Sequence, residues 1–112
     1  MDDQVKLKLL TEKSEMLKAM AHPMRLCILN CLLSSQDCNV TTLTKKLSQP
    51  QSTISQHISK LKAHGLIEGQ RNGVEIQYRV IDDEVKSIID LLLKELHKDA
   101  VDGSINEDAL NC

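Results

Sequence analysis

The sequence contains no Phe, no Trp and only one Tyr, although 41% of its 112 residues are apolar. Its core must therefore be built from Leu, Ile, Val and Met, which are the side chains of closely packed helices. A chain of this length forms one domain with a small core. With so little aromatic bulk, we expect it to gain stability by pairing with a second copy of itself.

Several kinds of segment and site are also missing from the sequence. No run approaches the roughly 18 apolar residues that cross a membrane, and no secretory signal pattern is visible. The chain offers no nucleophile–base constellation, no phosphate-cradling glycine loop and no paired acid and base carboxylates. Its four cysteines follow no secreted-type framework. We therefore expect a cytoplasmic protein that has no membrane contact and no enzymatic activity.

The charges are unevenly distributed along the chain. The formal net charge of −2 argues weakly against a nucleic-acid partner. Residues 45–80, however, carry six basic and two acidic groups, whereas residues 81–112 carry three basic and nine acidic groups. A local basic patch, rather than the total charge, is what phosphate binding requires.

Residues 50–65 form a predicted helix with an unusual outer surface. Ile54, Ile58 and Leu61 recur at spacings of four and three, which predicts a stripe facing the core. The outer positions are neutral hydrogen-bonding groups followed by lysines, without an acidic residue. A solvated helix usually alternates Glu and Lys, whereas neutral polar groups suit base edges and phosphates in a DNA groove. A helix that merely faces water is the competing interpretation.

The segments before this helix are also helical in pattern. Apolar spacing predicts a first helix over 4–20 and a buried second helix that begins at Pro23. Asn39 is placed to cap a short helix over 40–47. Only a short turn separates that helix from residues 50–65, which is the helix-turn-helix pattern. An ordinary helical hairpin is the alternative.

The segment after this helix has the period of a β-hairpin. Alternating apolar and polar residues flank Asn72-Gly73, a two-residue turn signal in which both residues need positive φ. We expect Ile76, Tyr78 and Val80 to face the core. A hairpin in this place is the wing of a winged helix-turn-helix domain, so the predicted fold is mainly helical with one hairpin (α+β).

A last helix is predicted from Asp82 to Lys98, with acidic residues at its start and a wide apolar face. That face is broader than one small neighbour needs, so we expect part of it to pack against a second subunit. The composition predicts an acidic, disordered tail after the helix. The chain is thus divided into a DNA-binding and dimerisation domain, 1–98, and a tail, 99–112.

Three stretches of the sequence are similar to one known family. Residues 17–26 read Leu-Lys-Ala-Met-Ala-His-Pro-Met-Arg-Leu, residues 51–58 read Gln-Ser-Thr-Ile-Ser-Gln-His-Ile, and Leu66-Ile67 precede Arg71, Gly73 and Tyr78. In this order they resemble the approach to the second helix, the recognition helix and the wing of the ArsR/SmtB family of bacterial winged helix-turn-helix repressors. The resemblance covers residues 10–98.

The resemblance implies a homodimer, held by its first and last helices, that binds an inverted-repeat operator in double-stranded DNA. Family members are commonly released by an inducer, often a metal ion. The base-reading roles implied by position, with Thr53 added from the helix face, fall on Gln51, Ser52, Thr53, Ser55 and Gln56. The phosphate candidates are Thr41, Thr42, Ser59, Lys60, Lys62, Arg71 and Arg79.

The family's metal sites are poorly matched in this chain. Its closely spaced third-helix cysteines are reduced to Cys38, which is followed by Asn39. Zinc prefers nitrogen and sulfur donors, whereas the positions that correspond to the family's last-helix ligands hold Asp82, Glu84, Glu95 and Lys98. We therefore expect no metal site and no cofactor. In this respect the chain resembles those family members without metal ligands in which the amount of repressor, rather than ligand binding, sets the output. The sequence identifies no small-molecule inducer.

Three alternatives stay open. Some family members sense oxidants or sulfur species through a thiol pair, and Cys27 and Cys31 share a helix face while Cys38 lies near a loop. Buried Cys acting as a small hydrophobe is the competing interpretation. The chain could also respond to metal through an atypical site, although its histidines lie at no ligand spacing. Finally, it could be a protein-interaction module without salt-dependent DNA affinity.

Overall fold

A computed structural model describes residues 1–34 and 38–96. Within these residues the chain forms five helices and a two-stranded antiparallel sheet. The elements in order are α1 (Asp3–Met20), α2 (Pro23–Ser34), α3 (Val40–Leu47), α4 (Gln51–Ala63), β1 (Ile67–Asn72), β2 (Glu75–Val80) and α5 (Asp83–Leu92). This order confirms the predicted winged helix-turn-helix fold. The predicted tail, 99–112, lies outside the described residues.

Side-chain caps define where three of the helices begin. Asp2, Asn39 and Asp82 each accept a hydrogen bond from the backbone N–H three residues later. Such caps satisfy an N–H group that the first turn leaves without an intrahelical partner. The Asn39 cap confirms the predicted start of α3. At the other end of α3, Ser48 takes a φ of 53°, in the left-handed region, so the helix stops there.

Helix α2 is the centre of the core, as its nearly all-round apolar sequence predicts. It packs against α1, α3, α4, α5 and β2. Tyr78, the only aromatic side chain of the protein, is 9% exposed at the edge of the aliphatic core. The core residues with no exposed surface include Ile28, Leu29, Leu43, Ile54, Leu61, Val85 and Ile89.

The hairpin turn differs from the prediction by one residue. Asn72 pairs with Glu75, so the two turn residues are Gly73 and Val74. Only Gly73 has positive φ, at 70°. A turn with Gly in the first central position needs just one positive φ, which explains why this turn displaces Asn-Gly. The prediction of an Asn72-Gly73 turn was therefore wrong.

One of the three residues predicted to face the core from β2 does not do so. Tyr78 and Val80 are buried as expected, but Ile76 is 40% exposed. Ile76 lies nearer the hairpin tip, and its side chain and the Tyr78 ring both lie over Gly69 of β1. A Cβ atom at Gly69 would lie 2.7 Å from Ile76 Cγ2 and 2.9 Å from Tyr78 Cε1, so only glycine leaves room for this packing.

Helix α5 leaves much of its apolar surface exposed. It ends at Leu92, where the N–H of Leu93 closes the last turn on the Ile89 carbonyl, so the helix predicted over residues 82–98 is interrupted at residue 93. Residues 94–96 are helical again, and residues 97 and 98 lie outside the described residues. Val85 and Ile89 are buried, while Leu91 is 65% exposed. The other large apolar side chains exposed on α1 and α5 are Val5, Leu7, Leu9, Leu10, Leu17 and Leu92.

None of the described helices is long and apolar enough to cross a membrane.

Candidate nucleic-acid interface

The turn between α3 and α4 sets the orientation of α4 on the domain. Leu43 of α3 is fully buried, and the left-handed Ser48 reverses the chain before Pro50. Pro50 directly precedes the first residue of α4 and provides no side-chain cap. Since proline cannot donate a backbone hydrogen bond, it suits the junction where a new helix begins. Two packed helices joined by so short a turn are the helix-turn-helix arrangement.

The inner and outer faces of α4 differ in chemistry. Residues of an α-helix follow one another at about 100°, so residues four and three apart share a face. Ile54 and Ile58 are buried and hold α4 on the core. The opposite ridge consists of Ser52, Gln56 and Ser59, all of which are exposed. These hydroxyl and amide groups can donate and accept hydrogen bonds without adding charge.

The flanks of α4 hold the other predicted base-reading residues. Gln51 is exposed, whereas Thr53 and Ser55 are half-buried on opposite sides of the ridge. The structure thus places all five predicted residues on or beside one surface, with Ser52 and Gln56 at its centre. Lys60 and Lys62 follow at the exposed C-terminal end. No acidic residue lies within α4.

The N-terminus of α3 contributes two hydroxyl groups. Thr41 is exposed and Thr42 is half-buried. The backbone N–H of Thr42 already donates to Asn39 Oδ1 at 2.7 Å. Of the two Thr42 groups that could bind phosphate, only the hydroxyl is therefore left for the contact that the sequence suggests.

The wing is tied to the helix-turn-helix by two hydrogen bonds. Asn39 Nδ2 donates to Glu75 Oε2 at 2.9 Å, and the Tyr78 N–H donates to the Cys38 carbonyl at 3.0 Å. A single residue, Asn39, thus both caps α3 and holds the hairpin. The wing is positioned relative to α3 by these contacts, which sequence reasoning did not predict.

The two predicted wing arginines have different surroundings. Arg79 lies directly opposite Glu68 in the sheet and forms an ion pair with it, in which Arg79 Nε donates to Glu68 Oε1 at 2.7 Å. Arg71 is exposed and makes no ion pair within 1–34 and 38–96. The positive charge of Arg71 is therefore the more available of the two for phosphate.

The cysteines lie mostly inside the core. Cys31 and Cys38 are fully buried, and Cys38 Sγ donates to the Cys31 carbonyl at 3.6 Å. Burial raises the pKa of the Cys31 thiol to about 11. Cys27 is half-buried. Cys38 is thus a buried residue rather than the accessible loop-side thiol that its position in the sequence suggests.

A histidine pair was missed by the sequence reasoning. The rings of His22 and His57 lie 4.5 Å apart, centre to centre, at an angle of 47°. His22 Nδ1 accepts the N–H of Met24 in the first turn of α2 at 3.0 Å. The pairing joins positions distant in sequence, and no local pattern signals it. Within the described residues, no group of three or more His, Cys, Asp or Glu side chains could hold a metal ion.

Comparison with known proteins agrees with this architecture. Residues 22–68 match the model of the bacterial regulatory protein, arsR family. The chain is 41% identical over 91 residues to the transcriptional repressor PagR of Bacillus anthracis, covering 81% of this chain and 91% of PagR. It is 39% identical over 82 residues to the repressor SmtB of Mycobacterium tuberculosis, covering 73% and 60% of the two chains.

A solved structure extends the similarity to three dimensions. The crystal structure of PagR superposes with a TM-score of 0.71 at 42% identity, covering 77% of this chain and 98% of that one. The family model matches residues 22–68, which include the helix-turn-helix. The comparison with PagR covers nearly all of the PagR chain. The chain therefore belongs to the ArsR family of DNA-binding transcriptional repressors.

Proposed function

We propose that the chain represses transcription as a homodimer that inserts one α4 helix per subunit into successive major grooves of an inverted-repeat operator. The observation that carries this proposal is the exposed, acid-free ridge of Ser52, Gln56 and Ser59 on a helix that follows a short turn. An α-helix fits the major groove, where each base pair presents its own pattern of donors and acceptors. A two-fold dimer requires half-sites about one helical turn, or a multiple of one turn, apart.

Base reading is centred on Ser52 and Gln56, with the other predicted residues at the sides of the ridge. A glutamine can pair bidentately with adenine, and such a pair contributes about 1–3 kcal/mol of discrimination against the wrong base. Gln51 flanks the ridge as an exposed second amide, while Thr53 and Ser55 are half-buried and reach less far. We therefore assign the largest specificity contribution to Gln56.

Phosphate contacts surround the ridge. Exposed ammonium groups lie at the end of α4, and exposed hydroxyl groups lie at its side and on α3. The Arg79 charge is offset by Glu68, so we rank it below the other cations. The proposed phosphate-binding residues are Thr41, Thr42, Ser59, Lys60, Lys62, Arg71 and, with a smaller contribution, Arg79.

The proposed dimer is formed by α1 and α5. Both helices expose leucines that the protomer's own core does not cover, such as Leu7 at 66% and Leu91 at 65%. Exposed apolar patches on small proteins mark interaction surfaces. In a two-fold dimer both subunits use the same patch, so each leucine contributes to the interface once from each subunit.

The family's metal sites are not the proposed route of regulation. Asp82 Oδ1 is used to cap α5 by accepting the N–H of Val85 at 3.1 Å, and Glu84 forms an ion pair with Lys13 of α1. A pKa of about 11 leaves the Cys31 thiol protonated at neutral pH, and the thiolate is the reactive form. We infer that the amount of repressor, rather than a bound metal or an oxidised Cys31, sets the output.

The test uses a duplex that the protein itself selects from a random library, followed by anisotropy measurements with that duplex. Ser52→Ala/Gln56→Ala should abolish specific binding, because the major groove loses its two central partners. Gln4→Ala/Ser34→Ala is the matched control, since it removes the same groups at exposed positions of α1 and α2. Equal affinity of both double variants and the wild type would refute the assignment of α4. Affinity that does not change with salt would favour the protein-interaction module.

A further inference from the structure

Four nitrogen-bearing side chains meet beside the reading ridge of α4. His57 lies on the flank of α4, and its ring is in tilted contact with that of His22, the residue directly before α2. Arg25, one turn further along α2, and Lys60, three residues after His57, both act electrostatically on His57. We call His22, Arg25, His57 and Lys60 the cationic cluster. It contains a fixed guanidinium, an ammonium and two imidazoles.

The cluster lacks an anionic partner in the described part of the chain. Neither Arg25 nor Lys60 forms an ion pair there. Arg25 Nε is buried and has no hydrogen-bond partner among residues 1–34 and 38–96. Burial lowers the pKa of His57, and the electrostatic influence of the neighbouring His22, Arg25 and Lys60 lowers it further. Like charges held together without a counter-charge are unfavourable, and the same arrangement is favourable around an anion.

The position of the cluster indicates which anion this is. An α-helix with its side chains is about 10–12 Å across and fills a major groove about 12 Å wide. When the ridge faces the bases, the flanks of the helix lie against the two walls of the groove, where the phosphates run. Lys60 and His22 are exposed on the His57 side of α4. A wall phosphate would therefore lie against the cluster.

We propose that the cationic cluster is a proton-sensitive binding site for one phosphodiester group of the DNA backbone. The inference rests on the proposed function, since it requires α4 to enter the groove. Arg25 and Lys60 supply permanent charge, and His57 supplies a charge that depends on pH. A guanidinium is well suited to this role because its planar array of N–H groups matches phosphate oxygens.

The direction of the pH effect follows from the two states of His57. In free protein the pKa of His57 is lowered below its usual range, which favours the neutral imidazole, whereas a phosphate beside it favours the imidazolium. DNA binding therefore takes up protons, and affinity rises as the pH falls through the pKa of the DNA-bound protein towards the lower pKa of the free protein.

The test follows the imidazole of His57 by NMR in the whole protein, with and without the selected duplex. We expect DNA to raise its pKa, with about tenfold tighter binding by the protonated than by the neutral form for each unit of increase. His57→Gln should remove this pH dependence. Lys60→Gln should reduce the slope of log affinity against log salt by about one. Lys86→Gln, an exposed lysine on α5, should change neither.

Three outcomes would overturn the inference. A pKa of His57 that stays constant or falls on DNA addition shows that no phosphate lies beside it, and this measurement needs no substitution that could damage the fold. The second is an unchanged salt slope in Lys60→Gln. If binding still depends on Ser52 and Gln56, the first outcome leaves the proposed function standing, and the second removes only Lys60 from its phosphate contacts. The third, a wild-type protein that binds no duplex at all, would refute both.

Discussion

Helices α4 and α5 hold to the core in the same way and present opposite chemistry to the outside. Both bury aliphatic side chains on one face, Ile54, Ile58 and Leu61 in α4 and Val85 and Ile89 in α5. Outside, α4 shows hydroxyl and amide groups, while α5 shows leucines such as Leu91. The buried aliphatic side chains therefore show only that a helix packs on the core. The exposed side chains indicate what kind of molecule the helix binds.

The two outer faces require different partners for a physical reason. An exposed leucine gains free energy when another apolar surface removes it from water, so the α5 surface suits protein. Hydroxyl and amide groups gain little from an apolar surface, but they match the donors and acceptors of base edges. The comparison thus separates the proposed dimer surface from the proposed DNA surface, and each can be broken alone.

The largest expected effect is on the α5 surface. Leu91→Glu should dissociate the proposed dimer, because burying a leucine contributes about 1.5–3 kcal/mol and two-fold symmetry applies the loss twice. The expected weakening of dimerisation is therefore about 3–6 kcal/mol. Sedimentation equilibrium over a range of protein concentrations measures it directly.

The matched control for this substitution is Val74→Glu at the hairpin tip. Val74 is 95% exposed and lies outside α1 and α5, so the same charge should leave the dimer intact. If both variants dissociate equally, or if neither does, α5 is not the dimer surface. Far-ultraviolet circular dichroism of both variants checks that the protomers are folded.

The next effect in size compares the two faces of α4 itself. Ile54→Ala should lower the free energy of unfolding by about 2–5 kcal/mol, because the Ile54 side chain is fully buried and its removal leaves a cavity in the core. Ser52→Ala, two residues away on the exposed ridge, should change it by less than about 0.5 kcal/mol. Urea unfolding at one fixed protein concentration measures both, because dimerisation makes stability depend on concentration.

DNA binding should show the reverse order. Relative to the stability that each variant loses, Ser52→Ala should weaken DNA binding more than Ile54→Ala does. Ser52→Ala is expected to weaken binding to the selected duplex while the fold stays intact. Ile54→Ala, where it remains folded, should keep the ridge and its chemistry. A large loss of stability in Ser52→Ala would mean that the ridge is part of the core, which would remove the basis of the comparison.

Periodic burial made most of the fold predictable from sequence. The stripe of α4, the Asn39 cap and the order of elements depend on spacing and local chemistry, and the structure confirms each of them. The hairpin turn was misplaced because Asn-Gly is a strong local signal, whereas the register is set by pairing along both strands. At the hairpin turn, pairing along the two strands therefore outweighs the local turn preference of Asn72-Gly73.

The surroundings of the site residues were much less predictable. Sequence reasoning identified Arg71 and Arg79 as equivalent, but Glu68 neutralises only one of them across the sheet. It likewise did not indicate the contact between His22 and His57, whose rings the fold brings to 4.5 Å. Ion pairs and ring contacts between distant segments depend on tertiary packing, and neither spacing nor composition records them.

The smallest expected effect tests this difference between the two wing arginines. Arg71→Gln should reduce the slope of log affinity against log salt by about one, because one phosphate contact is lost. Arg79→Gln should reduce it by less, since Glu68 already offsets that guanidinium at the protein surface. The double variant Glu68→Gln/Arg79→Gln removes the pair and should resemble the wild type most closely. An equal reduction by both single variants would show that Arg79 leaves Glu68 for phosphate, so that the ion pair is only the DNA-free arrangement of the wing.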